Sequence, residues 1–209
     1  DLLGSLFGRP VPDDMRFEEA AGLVALEATR ADGVVTGAWC RAPRPLALGS
    51  RVPPATVAAL AGLAEADILV GRFAPRFISV GAEFLVAEVS AEALERAAPD
   101  AQAFARAEGR IGQSAGLLGL HLHAADSNDP ARLDVRMFAP LAGVPEDAAT
   151  GSAAAALGAF LHQLDPARTR FTLFQGRHIG RPSEIAVEIR PDGVWLGGPC
   201  APFASGTLA

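Results

Sequence analysis

The chain has 209 residues and a formal net charge of −6; all 18 basic residues are arginine. The arginines are scattered, and a nucleic-acid surface needs a clustered basic stripe, so that class is set aside. No uninterrupted apolar run is long enough to span a bilayer and no basic-then-apolar signal opens the chain, so a reduced, cytoplasmic protein with no membrane partner is expected.

Asp1–Arg9, DLLGSLFGR, reads as the start of a short helix. Phe17–Thr29 and Gly33–Cys40 read as two strands around the turn at Arg30–Gly33. Arg41–Pro54, RAPRPLALGSRVPP, carries four prolines and is the best linker candidate. Pro54–Leu63 is a short helix with apolar positions at Val57, Leu60, Ala61 and Leu63. Phe77–Val89 reads as a strand with a glycine in its middle. Ser90–Gly109 reads as helical with a serine cap and a break near Pro99. Strands follow at Leu117–His123 and Leu133–Ala139, then a helix at Ser152–Leu164. Three more strands, Arg170–Gln175, Glu184–Ile189 and Val194–Gly197, close the order, the last two joined by a Pro191-Asp192-Gly193 turn.

The helix at 152–164 has almost no polar side before His162 and Gln163, so it must be buried. At ~1.5 Å per residue it is about 20 Å long, the depth of a small domain. A strongly curved antiparallel sheet wrapped around this one central helix is the economical architecture.

The start of a buried helix leaves N–H groups without partners and carries a partial positive charge. Thr150 or Ser152 can cap it, and Gly151 allows close approach of an anionic ligand. An ordinary cap preceded by the acidic pair Glu146-Asp147 explains the same residues. No lysine follows the glycine as in a phosphate loop, and Ser152 lacks the frame of a nucleophile elbow. His121 and His123 share one strand face, but two imidazoles without a further ligand are weak evidence for metal. No metal is expected. The loop Phe174–Glu184, FQGRHIGRPSE, could present Gln175 and backbone groups to a polar ligand, or could be a hairpin rich in turn residues.

Together the two stretches resemble the PhzF-like family, the phenazine-biosynthesis isomerase group within the diaminopimelate-epimerase fold. The first motif stands here as Glu146-Asp147-Ala148-Ala149-Thr150-Gly151-Ser152-Ala153, with Ala148 where proline is usual. The second stands as Gln175-Gly176-Arg177-His178-Ile179-Gly180-Arg181-Pro182-Ser183. The resemblance implies an α+β fold of two similar domains, each a curved, mostly antiparallel, barrel-like sheet around a central helix, with the site between them. It divides the chain into 1–45 with 196–209 as the remainder of the first domain, and 46–195 as the second.

The resemblance further implies a cofactor-independent isomerase or epimerase that moves a proton at carbon on a small carboxylate, working as a homodimer. It assigns Asp147 a catalytic role, and Thr150, Gly151, Ser152, Gln175, Gly176 and Arg181 to substrate binding. The family's catalytic glutamate in an S-E-T-like motif and its G-H-P turn have no counterpart in these residues, so the sequence is expected to be a cropped part of a longer protein. A non-catalytic binding or scaffold protein of the same fold is the alternative. Neither Cys40 nor Cys200 stands at a helix start, which argues against the two-thiol racemisation of related families.

Overall fold

The computed structural model describes residues 12–20, 22–112 and 118–200. Thirteen strands form one sheet in the order β1-β2-β3-β13-β12-β11-β9-β8-β7-β6-β4, with β10 paired to β9 and β5 to β7. The strands are β1 Asp14–Glu19, β2 Gly22–Ala31, β3 Val34–Arg41, β4 Ala47–Arg51, β5 Ile68–Leu69, β6 Arg76–Ser79 and β7 Glu83–Val89. They continue as β8 Leu120–Ala125, β9 Arg132–Ala139, β10 Val144–Asp147, β11 Arg170–Gln175, β12 Ser183–Arg190 and β13 Gly193–Pro199. The pairings are antiparallel except β7 with β8 and β9 with β11. The sheet is open, since its path ends at β1 and β4.

Four α-helices stand among the described residues: α1 Pro54–Ala61, α2 Ala91–Arg96, α3 Ala101–Ala107 and α4 Gly151–Leu164. Helix α4 is the expected apolar helix, and every residue from Ala153 to Leu161 is buried. It contacts β6, β7, β11, β12 and β13, so the sheet curls around it. Small residues permit that closeness. A Cβ on Gly158 would lie 2.7 Å from Val187 Cγ1, inside any real contact. Leu157, Phe160 and Leu161 supply bulk, each contributing about 1.5–3 kcal/mol by leaving water.

The other three helices cover the outer face of the central strands. Leu60, Leu94 and Phe104 pack there with Leu85, Leu120, Leu122 and Phe138. Ser90 and Asp100 cap α2 and α3 by accepting backbone N–H bonds, and Pro99 falls between the two helices. The middle of the sheet is therefore buried on both faces.

Two expected strands prove to be hairpins. Phe17–Thr29 reverses between Glu19 and Gly22, where Gly22 adopts φ 131° and the chain returns as β2. Phe77–Val89 reverses at Gly81, φ 151°, whose N–H donates to Ser79 Oγ at 3.0 Å. In both, apolar residues run straight through the turn, so period alone conceals it. The proline-rich segment 41–54 holds β4, an edge strand paired with β6. The strand expected at Leu117–His123 runs as β8 from Leu120, and the reading at Asp1–Arg9 lies outside the described residues.

The expected division at 45/46 and 195/196 falls just beyond β3 and within β13. Those two strands pair from Trp195↔Arg41 to Pro199↔Gly37. Beside that seam Arg190 is stacked between the chain's two tryptophans, 5.1 Å from the Trp39 ring and 4.4 Å from Trp195. Its guanidinium also bonds Glu27 at 2.8 Å and Glu188 at 3.0 Å, tying β2 to β12.

Candidate active site

Strand alternation sends the two adjacent carboxylates of β10 to opposite faces. Glu146 turns outward beneath α2 and receives a bidentate fork from Arg136, Nε to Oε1 at 3.0 Å and Nη2 to Oε2 at 2.6 Å. The remaining donor, Arg136 Nη1, bonds the carbonyls of Leu94 at 3.0 Å and Ala97 at 2.6 Å. Both side chains of this ion pair are more than nine-tenths buried. Glu146 therefore does not face the helix start as its sequence position suggests. Asp147, level with Met137 on β9, turns inward toward α4 and is half-buried.

A short hydrogen-bond circuit then fixes the turn. Thr150 Oγ1 donates to Asp147 Oδ2 at 2.6 Å. Gln175, only 2% exposed, accepts from Thr150 N–H at 3.2 Å. Its Nε2 donates to the Asp147 carbonyl at 2.8 Å and to Thr150 Oγ1 at 3.0 Å. Ser183 Oγ donates to the Ala148 carbonyl at 2.7 Å. Thr150 Oγ1 donates to Asp147 and accepts from Gln175 Nε2, and no backbone N–H of α4 donates to it, so the residue ahead of the helix makes no side-chain cap. The expected cap is replaced by a carboxylate held in place just ahead of a helix start.

The other site residues divide by accessibility. Ser152 is exposed at the first turn, and Gly151 lies beside Leu196, where a Cβ would stand 2.5 Å from Leu196 Cδ1. Gly176, φ 80°, is buried so tightly that a Cβ would lie 2.6 Å from the Ala148 carbonyl oxygen. Its own carbonyl accepts from Arg181 N–H at 2.9 Å, closing the loop. The Arg181 side chain is exposed and makes no ion pair among the described residues. Asp147, Thr150, Gly151, Ser152 and Gln175 are thus one cluster, whereas Gly176 shapes it from behind and Arg181 stands outside it.

Sequence reading missed Arg136 and Ser183. Arg136 carried a signal, a charged residue amid the apolar run of β9; Ser183 carried none beyond its loop. Loop residue Arg177 bonds Glu95 of α2, and His178 Nδ1 lies 3.5 Å from the same carboxylate. Burial first, and the Arg136 charge second, lower the His178 pKa.

The histidines on β8 do not join the site. Leu120, Leu122 and Ala124 face the outer core, so His121 and His123 face inward. Both are fully buried, and none of their ring nitrogens has a hydrogen-bond partner among the described residues. His123 stacks on Phe73 at 5.8 Å, and Phe73 meets Phe160 of α4 edge-on. Desolvation pushes the pKa of His121 down to about 4 and that of His123 to about 3, so both are neutral. Among the described residues no cluster of three or more His, Cys, Asp or Glu could hold a metal ion.

Cavity size points elsewhere. A hollow of about 700 Å³ lies at the far end of α4, by His162 and the segment 41–46, and one of about 350 Å³ lies behind Gln175. The larger is bordered by Arg41 and Arg190, whose charges are already matched by Asp192, Glu27 and Glu188. Neither includes Asp147 or Ser152, and the chemistry at the helix start outweighs volume.

The chain matches the family model described as phenazine biosynthesis-like protein, PhzC-PhzF, over residues 3–205. It is 32% identical over 203 residues to trans-2,3-dihydro-3-hydroxyanthranilate isomerase of Pseudomonas aeruginosa, covering 93% of this chain and 66% of that one. A protein of Mesorhizobium japonicum described as an uncharacterised isomerase is 30% identical over 201 residues, 91% of this chain and 66% of its own length. The solved structure of a predicted epimerase from Pseudomonas aeruginosa superposes with TM-score 0.73 at 29% identity, over 96% of this chain and 69% of the other. The chain thus spans 66% of the length of these two curated relatives.

Proposed function

This chain belongs to the phenazine biosynthesis-like (PhzC-PhzF) family, and on that premise we propose that it is part of a cofactor-independent isomerase or epimerase. The reaction is proton movement at carbon on a small carboxylate. The observation that carries this reading is the circuit Asp147–Thr150–Gln175 standing ahead of a buried helix with no side-chain cap. The fold division at 45/46 and 195/196, and assembly as a homodimer, belong to the same proposal.

Each residue has a chemical part. Asp147 is the acid/base group or the hydrogen-bond partner of the substrate's polar substituents. Thr150 donates to the same carboxylate and fixes its plane. The N–H groups of Gly151 and Ser152 offer donors, at the positive end of α4, to a carboxylate or to negative charge growing on the substrate. Gln175 is buried, so its part is to hold Asp147 and Thr150 in place.

The test is deuterium incorporation from D2O into trans-2,3-dihydro-3-hydroxyanthranilate and into a panel of small amino acids. The full-length protein of which this chain is part is expected to exchange a carbon-bound proton in at least one of them, and Asp147→Asn to lower the rate by about 10²–10⁴-fold, the usual contribution of a positioned acid or base. Exchange that proceeds unchanged in Asp147→Asn refutes its role. Binding without exchange by the full-length protein establishes the non-catalytic alternative.

A further inference from the structure

Strand β10 is weakly held by its own ladder. It pairs only with β9, and the register slips between Val144 and Asp147. Glu146 sits within that slip, so the backbone leading into Asp147 lacks regular cross-strand bonding there. The Arg136 fork takes over the task. It grips both Glu146 oxygens, and its third nitrogen bonds two carbonyls of the outer helical layer. The Phe138 ring lies 4.9 Å from the guanidinium and limits its swing. Beyond Asp147 the chain is fixed again, by Gln175 at the Asp147 carbonyl and Ser183 at the Ala148 carbonyl.

We propose that Arg136, acting through Glu146, is a positioning residue for Asp147, setting the reach of its carboxylate at the start of α4. The proposal rests on the reading of Asp147 as the group that meets substrate. Arg136 lies on the opposite face of the sheet and touches neither substrate nor Asp147 itself. A carboxylate one ångström from its productive place costs about a hundredfold in rate, so a buried ion pair on the far side of the strand matters to turnover.

The experiment follows the circuit by NMR in the full chain carrying ¹³C and ¹⁵N. Glu146→Gln keeps the side chain's shape and removes its charge. The Gln175 side-chain amide and the Thr150 methyl are expected to shift together, and hydrogen exchange of that amide to quicken roughly tenfold. Arg136→Lys keeps a cation and a donor but loses the fork, and is expected to give intermediate values. Should Glu146→Gln fail to fold, Arg136→Lys reads the same two signals. Wild-type signals in a folded variant whose melting temperature alone falls would make the pair a simple fold stabiliser and overturn the proposal. In the deuterium assay, kcat is expected to fall about a hundredfold in Glu146→Gln with KM nearly unchanged. An unaffected Asp147→Asn removes the functional reading, whereas the NMR signals decide the geometric one separately.

Discussion

Two polar regions meet the inner face of the sheet, and they are built on opposite terms. At the start of α4, Asp147, Thr150 and Gln175 satisfy one another, and Asp147 and Thr150 are half-exposed. On β8, His121 and His123 are fully buried; His121 has no hydrogen-bond partner among the described residues, and His123 has at most a poorly aligned contact with the Ala87 backbone. A polar group in a dry interior costs about 1–3 kcal/mol when its hydrogen bonds are unmade. The first region therefore holds a carboxylate ready at little cost, and the second stores instability. The contrast is consistent with the proposed place for chemistry at the first, although both contain titratable groups.

Acid should expose the contrast most strongly. The folded pKa values of His121 and His123 lie below the ordinary 6.5, so the unfolded chain takes up protons that the folded chain refuses. Stability is then complete well above 6.5, falls as pH drops below it, and continues to fall until about 4 for His121 and about 3 for His123. Between pH 7 and 5 the two together should cost about 4 kcal/mol. Urea unfolding across that range measures it, and His121→Leu with His123→Leu should flatten the slope. An equally steep slope in the double variant would place the acid sensitivity elsewhere.

Gly176→Ala should come next. It forces a Cβ onto a left-handed residue and against the Ala148 carbonyl, which should cost about 2 kcal/mol in denaturant unfolding. Because that carbonyl neighbours the circuit, loss of stability and loss of turnover should appear together. Thr150→Val removes the hydroxyl that links Asp147 to Gln175, with an expected cost of about 1–2 kcal/mol. Smallest in stability is Ser152→Ala, on an exposed side chain, with a change of about 0.5 kcal/mol or less. Its effect should instead be on turnover. A Ser152→Ala protein with unchanged turnover on every accepted compound would remove the Ser152 hydroxyl from the site and leave only its backbone N–H as a donor there.

Much of the inner frame was legible in the chain itself. Helix α4 shows because nine successive buried residues leave no wet face. Strands β9, β11 and β12 show because β-favouring apolar residues recur at every second position, Leu133, Val135 and Met137, then Phe171 and Leu173, then Ile185, Val187 and Ile189. The reversals at Gly22 and Gly81 do not show, since the apolar pattern continues across them and a lone glycine also suits a bulge. At the site, the Thr-Gly-Ser turn announces a helix start by residue type. What the sequence cannot display is that the Thr150 hydroxyl is engaged by Asp147 and Gln175 rather than by the N–H groups of α4, or that Glu146 looks away from its neighbour. Both depend on which face of a four-residue strand meets Arg136, whose partner is ten residues distant. Gln175 was legible as a loop residue but not as a buried one, because its burial comes from the approach of the 147–150 turn.

The Arg190 stack has an optical consequence. The chain has two tryptophans and no tyrosine, and both tryptophans flank that guanidinium where β2, β3, β12 and β13 meet. Intrinsic emission is therefore a local gauge of this seam, blind to the α4 interior and to the outer helical layer, whereas far-ultraviolet dichroism averages the whole backbone. Melting followed by the two signals distinguishes one cooperative body from two: coincident curves mean that β1–β3 unfold with the rest, and an earlier emission change means that the seam parts first.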